Sequence, residues 1–204
     1  MSIKAVVFDY GKVLSFSPEQ ETIGLLASIA GVEDALMEKI MYEERDIYDR
    51  GSISGLDYYK QGLSKHGVDI DEGSLAALVR SDLESWANLN PETVKLADSV
   101  KKAGLKLGIL SNMPHEFLAL CRKRFPLIAG ADVGIYSCEL GLNKPEKAIY
   151  EALLARLMLE PEEVAFFDDL EPNVRGARDL GIQAFLWKDA DTARKNLLEL
   201  GVQC

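Results

Sequence analysis

The stretch "VVFDYGKVL", residues 6–14, decides how the rest of the chain is interpreted. Its apolar start is typical of a strand buried on both faces, and that strand ends at a carboxylate, Asp9. Gly11 and Lys12 follow within three residues of it. An acid that ends a strand is most often a helix N-cap, so the meaning of Asp9 depends on its partners elsewhere in the chain.

Short runs of β-branched and aromatic residues recur along the chain and predict further strands. Together with the first, the predicted strands are residues 3–8, 105–110, 133–137, 164–168 and 183–187. Helical patterns separate the later runs. Strand, helix and strand in this rhythm predict an α/β fold, with helices on both faces of a Rossmann-like parallel sheet.

Residues 16–88 break this rhythm, because they carry amphipathic helical patterns and no convincing buried strand. An insert of this length far exceeds an ordinary strand-to-helix connection. Its place after the first strand puts it over the carboxyl ends of the strands, where open α/β sheets bind ligands. We therefore predict a core of residues 1–15 and 89–204, and a helical cap over residues 16–88.

Polar side chains stand at or just past the ends of four predicted strands, and in a doubly wound sheet these ends meet at one edge. They are Asp9, Ser111, Asn112, Lys144, Asp168 and Asp169. Carboxylates, a hydroxyl and a lysine suit phosphoryl transfer. An aspartate attacks phosphorus, a divalent cation bridges carboxylate and phosphate, and the hydroxyl and ammonium stabilise the phosphoryl oxygens.

In this order and spacing, the four motifs resemble those of the haloacid-dehalogenase-like (HAD) superfamily over nearly the whole chain. The insert also lies where that family places its cap. The segment "VAFFDDLEPNVRGARDLGIQAFLWKD", residues 164–189, is most similar to bacterial phosphatases of sugar phosphates, including α-glucose-1-phosphate phosphatases. The resemblance implies a magnesium-dependent hydrolase that cleaves phosphoric monoesters through an aspartyl-phosphate intermediate.

The resemblance also implies a metal site and a nucleophile. Asp9 would be the nucleophile and a ligand of Mg²⁺. The backbone carbonyl of Gly11 and the carboxylate of Asp169 would be further ligands, and Asp168 would bind the metal directly or through water. Asn173 would steady this site from behind the ligands.

A phosphate site is implied in the same way. Ser111 and the backbone of Asn112 would hold the phosphate, and Lys144 would neutralise it. Lys12 is a further candidate for a phosphate contact, with a solvent-facing position as its alternative.

The first motif departs from the family pattern, which usually reads Asp-x-Asp-Gly-Thr. Here it reads Asp9, Tyr10, Gly11, Lys12, Val13. The missing second aspartate normally protonates the leaving oxygen and later activates water. Its loss removes general acid–base help that is typically worth ~10²–10⁴-fold in rate. Gly11 still has the backbone carbonyl that the metal site uses.

Three hypotheses follow from the missing acid. The chain could be a weak pseudoenzyme that senses a phosphorylated ligand. It could take an acid from elsewhere, with Lys12, Glu43, Glu44 and His66 as candidates. We favour a third hypothesis, in which the leaving group needs little protonation, as with an anomeric sugar phosphate.

The superfamily's 2-haloacid dehalogenases are the rival enzyme class, because they also lack the second aspartate. They need no metal, however, and they lose the acidic pair of the fourth motif. Asp168 and Asp169 are both present here, which favours the phosphatase.

Composition limits the partners. The 204 residues carry a net charge of −10, which argues against nucleic acid and anionic membranes as partners. Cys121, Cys138 and Cys204 form no CxxC pair, and no apolar run is long enough for a signal peptide or a membrane span. We expect a cytoplasmic protein with reduced thiols and a small phosphorylated metabolite as its partner, either a monomer or a homodimer.

Overall fold

Five parallel strands form the centre of the molecule. The computed structural model describes residues 2–43 and 45–204. The sheet order is β3-β2-β1-β4-β5, with β1 Ala5–Phe8, β2 Lys106–Ser111, β3 Val133–Tyr136, β4 Val164–Asp168 and β5 Gln183–Leu186. This arrangement confirms the predicted Rossmann-like α/β fold. The first strand lies in the middle, between β2 and β4.

Helices occupy the connections between the strands. The insert between β1 and β2 begins with a distorted turn, Tyr10–Leu14, and continues through α1 Gln20–Ala30, α2 Asp34–Glu43, α3 Asp46–Asp49, α4 Gly55–Ser64 and α5 Glu72–Ser85. The remaining helices are α6 Pro91–Lys102, α7 His115–Arg124, α8 Pro126–Ala129, α9 Ser137–Leu140, α10 Lys147–Leu157, α11 Glu171–Arg178 and α12 Ala190–Glu199. A short 3₁₀ turn, Pro161–Glu163, precedes β4.

Strand β1 is buried on both faces, as its apolar sequence predicts. Val6 and Phe8 pack into a cluster with side chains from α6, α7 and α12. Ala5 and Val7 point to the opposite face and pack with side chains from α10 and α11. The alternation of side chains along a strand therefore places one hydrophobic layer on each side of the sheet.

Helices α1 to α5 have a hydrophobic cluster of their own, built from residues between Ile23 and Leu78. Two chain segments connect this cluster to the core, and they run side by side. Phe16 N donates to Asn88 O at 2.8 Å, and Asn90 N donates to Leu14 O at 2.8 Å. This narrow connection supports residues 16–88 as the cap, and that domain division stays a prediction.

The structure also shows the state of the three cysteines and the character of the helices. Cys121, Cys138 and Cys204 are all free, and the first two are buried. Across the described ranges, we find no helix with both the length and the apolar character needed to cross a bilayer.

Candidate active site

The carboxyl ends of β1, β2 and β4 bring three predicted site residues together. Asp9 directly follows β1, Ser111 ends β2 and Asp168 ends β4. Because these strands are parallel neighbours, their ends meet at one edge of the sheet. A cleft opens above this edge and is lined by Asp9, Gly11, Lys12, Ser111, Asn112, Lys144, Asp169 and Asn173 from the predicted set.

Lys144 is the buried cation of the site. Its Nζ lies 2.8 Å from Asp9 Oδ1 and 2.6 Å from Asp168 Oδ2, and it donates to Leu110 O at 3.0 Å. Burial alone would lower the pKa of Lys144, but the charges of Asp168 and Asp9 reverse the effect and raise it. The ammonium therefore stays charged, with its three donors directed at three oxygens.

The side chain of Asn112 fixes the backbone that carries this lysine. Lys144 N donates to Asn112 Oδ1 at 2.8 Å, and Asn112 Nδ2 donates to Lys144 O at 3.1 Å. The peptide bond between Lys144 and Pro145 is cis. Sequence reasoning predicted a role for the Asn112 backbone alone and missed this clamp, because the two residues are 32 positions apart.

Asp168 lies beneath the cleft and is fully buried. Its Oδ1 accepts hydrogen bonds from Leu170 N and from Asn173 Nδ2, both at 2.9 Å. Asn173 is itself held, since its carbonyl accepts from Tyr150 Oη at 2.9 Å. The side-chain amide of Asn173 thus orients Asp168.

Three carboxylates form a candidate metal centre at the floor of the cleft. Asp9, Asp168 and Asp169 each offer an oxygen, and these oxygens lie within 4.8 Å of one another. Among the described residues, Lys144 is the fully buried cation beside them, so negative charge is left in excess. An all-oxygen set with excess negative charge fits a hard divalent cation such as Mg²⁺.

Burial dominates the electrostatics of the predicted nucleophile. It raises the pKa of Asp9 to about 7, Asp168 and Asp169 act in the same direction, and Lys144 opposes them. The pKa of Asp169 is raised as well, first by burial and then by Asp168. A cation bound among these carboxylates would favour their charged forms.

The loop after Asp9 has an unusual backbone. Asp9 Oδ1 accepts from Tyr10 N at 2.7 Å and so caps the turn. Lys12 has φ 59° and ψ 2°, in the left-handed region that normally favours glycine, and its Nζ lies 3.8 Å from Asp169 Oδ2. A Cβ built on Gly11 would lie 3.4 Å from the Trp86 ring, so a cap side chain borders the space in front of this position.

Of the cap residues that the structure describes, Tyr42, Arg45, Asp49 and Trp86 line the cleft. Arg45 Nε lies 3.2 Å from Asp49 Oδ1, and Arg45 Nη1 lies 3.4 Å from Asp82 Oδ2. Sequence reasoning missed Arg45 and Asp49. The only local signal was the charged run at residues 45–50, which is also typical of a solvated helix face.

The structure does not bring Glu43 or His66, two of the predicted substitute acids, to the cleft. Glu43 and His66 line a separate small cavity between α2 and α4, so this part of the prediction is wrong. Glu44 lies outside the described residues. Lys12 does line the cleft.

Comparison with known proteins gives a family match. A family model described as haloacid dehalogenase-like hydrolase matches residues 3–181. Bifunctional epoxide hydrolase 2 of Sus scrofa is 35% identical over 142 residues, which are 67% of this chain and 26% of that protein. The chain thus spans about a quarter of the length of that relative.

Two further comparisons cover most of the chain. Phosphatase MT3486 of Mycobacterium tuberculosis is 28% identical over 201 residues, which are 91% of this chain and 88% of that protein. A solved HAD family enzyme from Bacteroides thetaiotaomicron, in complex with magnesium and inorganic phosphate, superposes with a TM-score of 0.75. It is 20% identical and the match covers 92% of this chain and 96% of that chain, a likeness that shows the fold.

Proposed function

The chain belongs to the haloacid dehalogenase-like hydrolases, and on that premise we propose that it is a magnesium-dependent phosphatase of small phosphorylated metabolites. The observation that carries the proposal is the placement of Lys144 Nζ between Asp9 Oδ1, at 2.8 Å, and Asp168 Oδ2, at 2.6 Å. A nucleophile, a fixed cation and an acidic pair at one cleft suit attack on phosphorus.

In the proposed reaction, Asp9 attacks the phosphorus atom and the bond to the leaving oxygen breaks. The product is an aspartyl phosphate, which water then hydrolyses. Ser111 Oγ, the Asn112 N–H and Lys144 Nζ hold the phosphoryl oxygens during both steps. Mg²⁺, held by Asp9, the Gly11 carbonyl, Asp168 and Asp169, would neutralise charge between carboxylate and phosphoryl oxygens.

The acidic pair supports a phosphatase over a dehalogenase. A dehalogenase attacks carbon without a metal and has no use for excess negative charge in the site. Here Asp168 and Asp169 add two carboxylates beside Asp9. Burying them together costs free energy unless a cation compensates for their charge.

The size of the cleft supports a small substrate. It encloses about 220 Å³, somewhat below the ~300–1,000 Å³ of common ligand pockets. Beyond the phosphate site its walls include Trp86, Tyr42 and Phe117, with the charged pair of Arg45 and Asp49 beside them. A ring face with hydrogen-bonding groups beside it suits a polyhydroxylated leaving group, so sugar phosphates are the class that we favour.

The test is phosphate release from a panel of sugar phosphates and one aryl phosphate, with Mg²⁺ or with chelator. We expect release that requires Mg²⁺ and that the isosteric Asp9→Asn variant abolishes. Mg²⁺ and phosphate binding without release would instead favour the ligand sensor. Release of halide from 2-haloacids in the presence of chelator would favour the dehalogenase.

A further inference from the structure

Asp49, at the end of α3, is a carboxyl group that the cap places on the wall of the cleft facing the core motifs. We propose that Asp49 is the general acid and base of the reaction, in place of the second aspartate that the first motif lacks. The inference rests on the proposed phosphatase function. It assigns to a cap residue the proton transfer that Gly11, which has no side chain, cannot perform.

Hydrogen bonds to the core fix the position of Asp49. Ser137 Oγ donates to the backbone carbonyl of Asp49 at 2.5 Å, and the same Oγ accepts from Met113 N at 2.8 Å. Met113 lines the cleft two residues beyond Ser111, in the loop that we assign to phosphate binding. Asp49 is therefore tied, through one hydroxyl, to the loop that would carry the phosphate.

The side chain of Asp49 is held so that one oxygen remains available. Oδ1 is shielded from solvent and lies 3.2 Å from Arg45 Nε, without a hydrogen bond of good geometry. The side chain as a whole keeps 13% exposure, which leaves Oδ2 as the oxygen that can face the cleft. A general acid needs this combination of a fixed carboxyl and one free oxygen.

Burial allows Asp49 to exchange a proton near neutral pH. Burial raises its pKa to about 6, Arg45 lowers it, and Asp82 and Asp46 raise it. An ordinary surface aspartate would be fully ionised at neutral pH and would be a poor proton donor. Asp49 can hold a proton for the leaving oxygen and can also act as a base afterwards.

The other groups at the cleft fit the role less well. Lys12 is 48% exposed and pairs with Asp169, one of the candidate metal ligands. Arg45 does not give up its proton. Burial alone would lower its pKa, but the charges of Asp82 and Asp49 outweigh burial and raise the pKa above its ordinary value. Among the described residues that line the cleft, Asp49 is the carboxyl group outside the candidate metal centre.

The proton balance closes over two steps. In the first, Asp9 forms a bond to phosphorus, the bond to the leaving oxygen breaks, and that oxygen takes its electron pair and the proton of Asp49. In the second, the Asp49 carboxylate takes a proton from water as the water oxygen attacks phosphorus. The bond to Asp9 then breaks, and Asp49 is protonated again while phosphate leaves.

The test compares Asp49→Asn with wild type, with Mg²⁺ present, on a primary-alcohol sugar phosphate and on 4-nitrophenyl phosphate. The alcohol leaves poorly without a proton, so its turnover should fall about 10²–10⁴-fold. Nitrophenolate leaves without help, so rapid mixing should give a burst of about one equivalent at close to the wild-type rate. Slow turnover should follow, because the aspartyl phosphate then lacks its base. Asp49→Glu should restore part of the alcohol-phosphate activity.

Asp82→Asn is the matched control, because Asp82 also pairs with Arg45 but does not line the cleft. Asp82→Asn should change the turnover of both substrates by the same factor. Equal losses of the first-turnover rate for both substrates in Asp49→Asn, or no loss in either, would overturn the proposal. No loss with the primary-alcohol phosphate would mean that another group donates the proton. Lack of phosphate release by wild type would instead refute the proposed function itself.

Discussion

Lys144 Nζ lies 2.6 Å from Asp168 Oδ2, and the two side chains are only 1% and 0% exposed. The same ammonium lies 2.8 Å from Asp9 Oδ1. A buried ion pair of this kind adds little stability over an apolar pair, but removal of one partner leaves an uncompensated charge in the interior. The lysine that we assign to phosphate binding is therefore also needed to hold two core carboxylates.

Lys144→Met should accordingly be one of the most destabilising single changes at this site. We expect the free energy of unfolding to fall by about 3–5 kcal/mol, because Asp168 is left buried without its cation. Phosphate release should disappear as well. Urea unfolding followed by circular dichroism measures the stability, and the panel assay measures the release.

The control for this change is Lys147→Met, three residues along the chain. Lys147 is 71% exposed and pairs with Glu151 one helical turn away, at 2.8 Å. Its loss should cost about 0.5 kcal/mol or less. Equal unfolding free energies for Lys144→Met and wild type would mean that Asp168 does not need the ammonium.

Mg²⁺ should stabilise the folded protein through the three clustered carboxylates. A cation that binds only the folded state adds about 2.7 kcal/mol at a concentration of 100 Kd. Asp169→Asn removes one of the three carboxylates and should abolish most of this Mg²⁺-dependent gain in melting temperature. Asp179→Asn, at the exposed end of α11, removes the same charge outside the cleft and should keep the gain. A gain of equal size in both variants would place the cation elsewhere.

Lys12 stores backbone strain that glycine would relieve. A left-handed residue costs about 1–2 kcal/mol, while glycine loses about 0.5–1 kcal/mol more conformational entropy on folding. Lys12→Gly should therefore raise the free energy of unfolding by about 0.5–1 kcal/mol. The measurement is urea unfolding in chelator, so that metal binding does not contribute.

Met158 provides the comparison, because it is the other described non-glycine residue with positive φ, at 55°. It is exposed and lies far along the chain, at the end of α10. Met158→Gly should give a similar gain in stability. If Met158→Gly stabilised the protein and Lys12→Gly destabilised it, the 3.8 Å pair of Lys12 with Asp169 would outweigh the strain.

The strands could be predicted closely because their signal is local. The apolar run that ends at Asp9 predicted a strand over residues 3–8, and the ladder begins at Ala5. Lys4 already bonds to the neighbouring segment, because its N–H donates to Glu163 O at 2.8 Å. The predicted and observed starts of the strand therefore differ only in how the end of a strand is defined. Residues that end or directly follow strands, such as Ser111, Asp168 and Asp9, were placed at the sheet edge by the same reasoning.

The cap side of the cleft could not be predicted, because its orientation depends on contacts between distant residues. Ser137 holds the carbonyl of Asp49 across 88 positions, and Asn143 Nδ2 donates to Asp46 Oδ1 across 97 positions at 2.6 Å. Helical periodicity identifies which face of α3 is apolar but not which core loop its ends contact. Glu43 was a candidate acid on sequence grounds alone and lies on another surface of the cap.

Asp49 should also destabilise the folded protein at neutral pH. Its pKa is raised from 3.8 to about 6, chiefly by burial. Between these values the folded state holds a proton that the unfolded chain has lost, so stability falls as pH rises through this window. The full difference corresponds to about 3 kcal/mol. Asp49→Asn should therefore be more stable than wild type at pH 8 and of similar stability at pH 4, as measured by urea unfolding at each pH.

Asp71→Asn is the control, because the pKa of Asp71 is shifted in the opposite direction to that of Asp49. Asp71 is exposed, caps α5 by accepting from Gly73 N and Ser74 N, and its pKa is lowered by hydrogen bonds from Ser74. Its contribution to stability is present above its unfolded pKa and is lost as pH falls through its folded pKa. Asp71→Asn should thus give no gain at pH 8. A stability difference between Asp49→Asn and wild type that did not grow from pH 4 to pH 8 would show that Asp49 is ionised in the folded protein throughout, and it could then not serve as the acid.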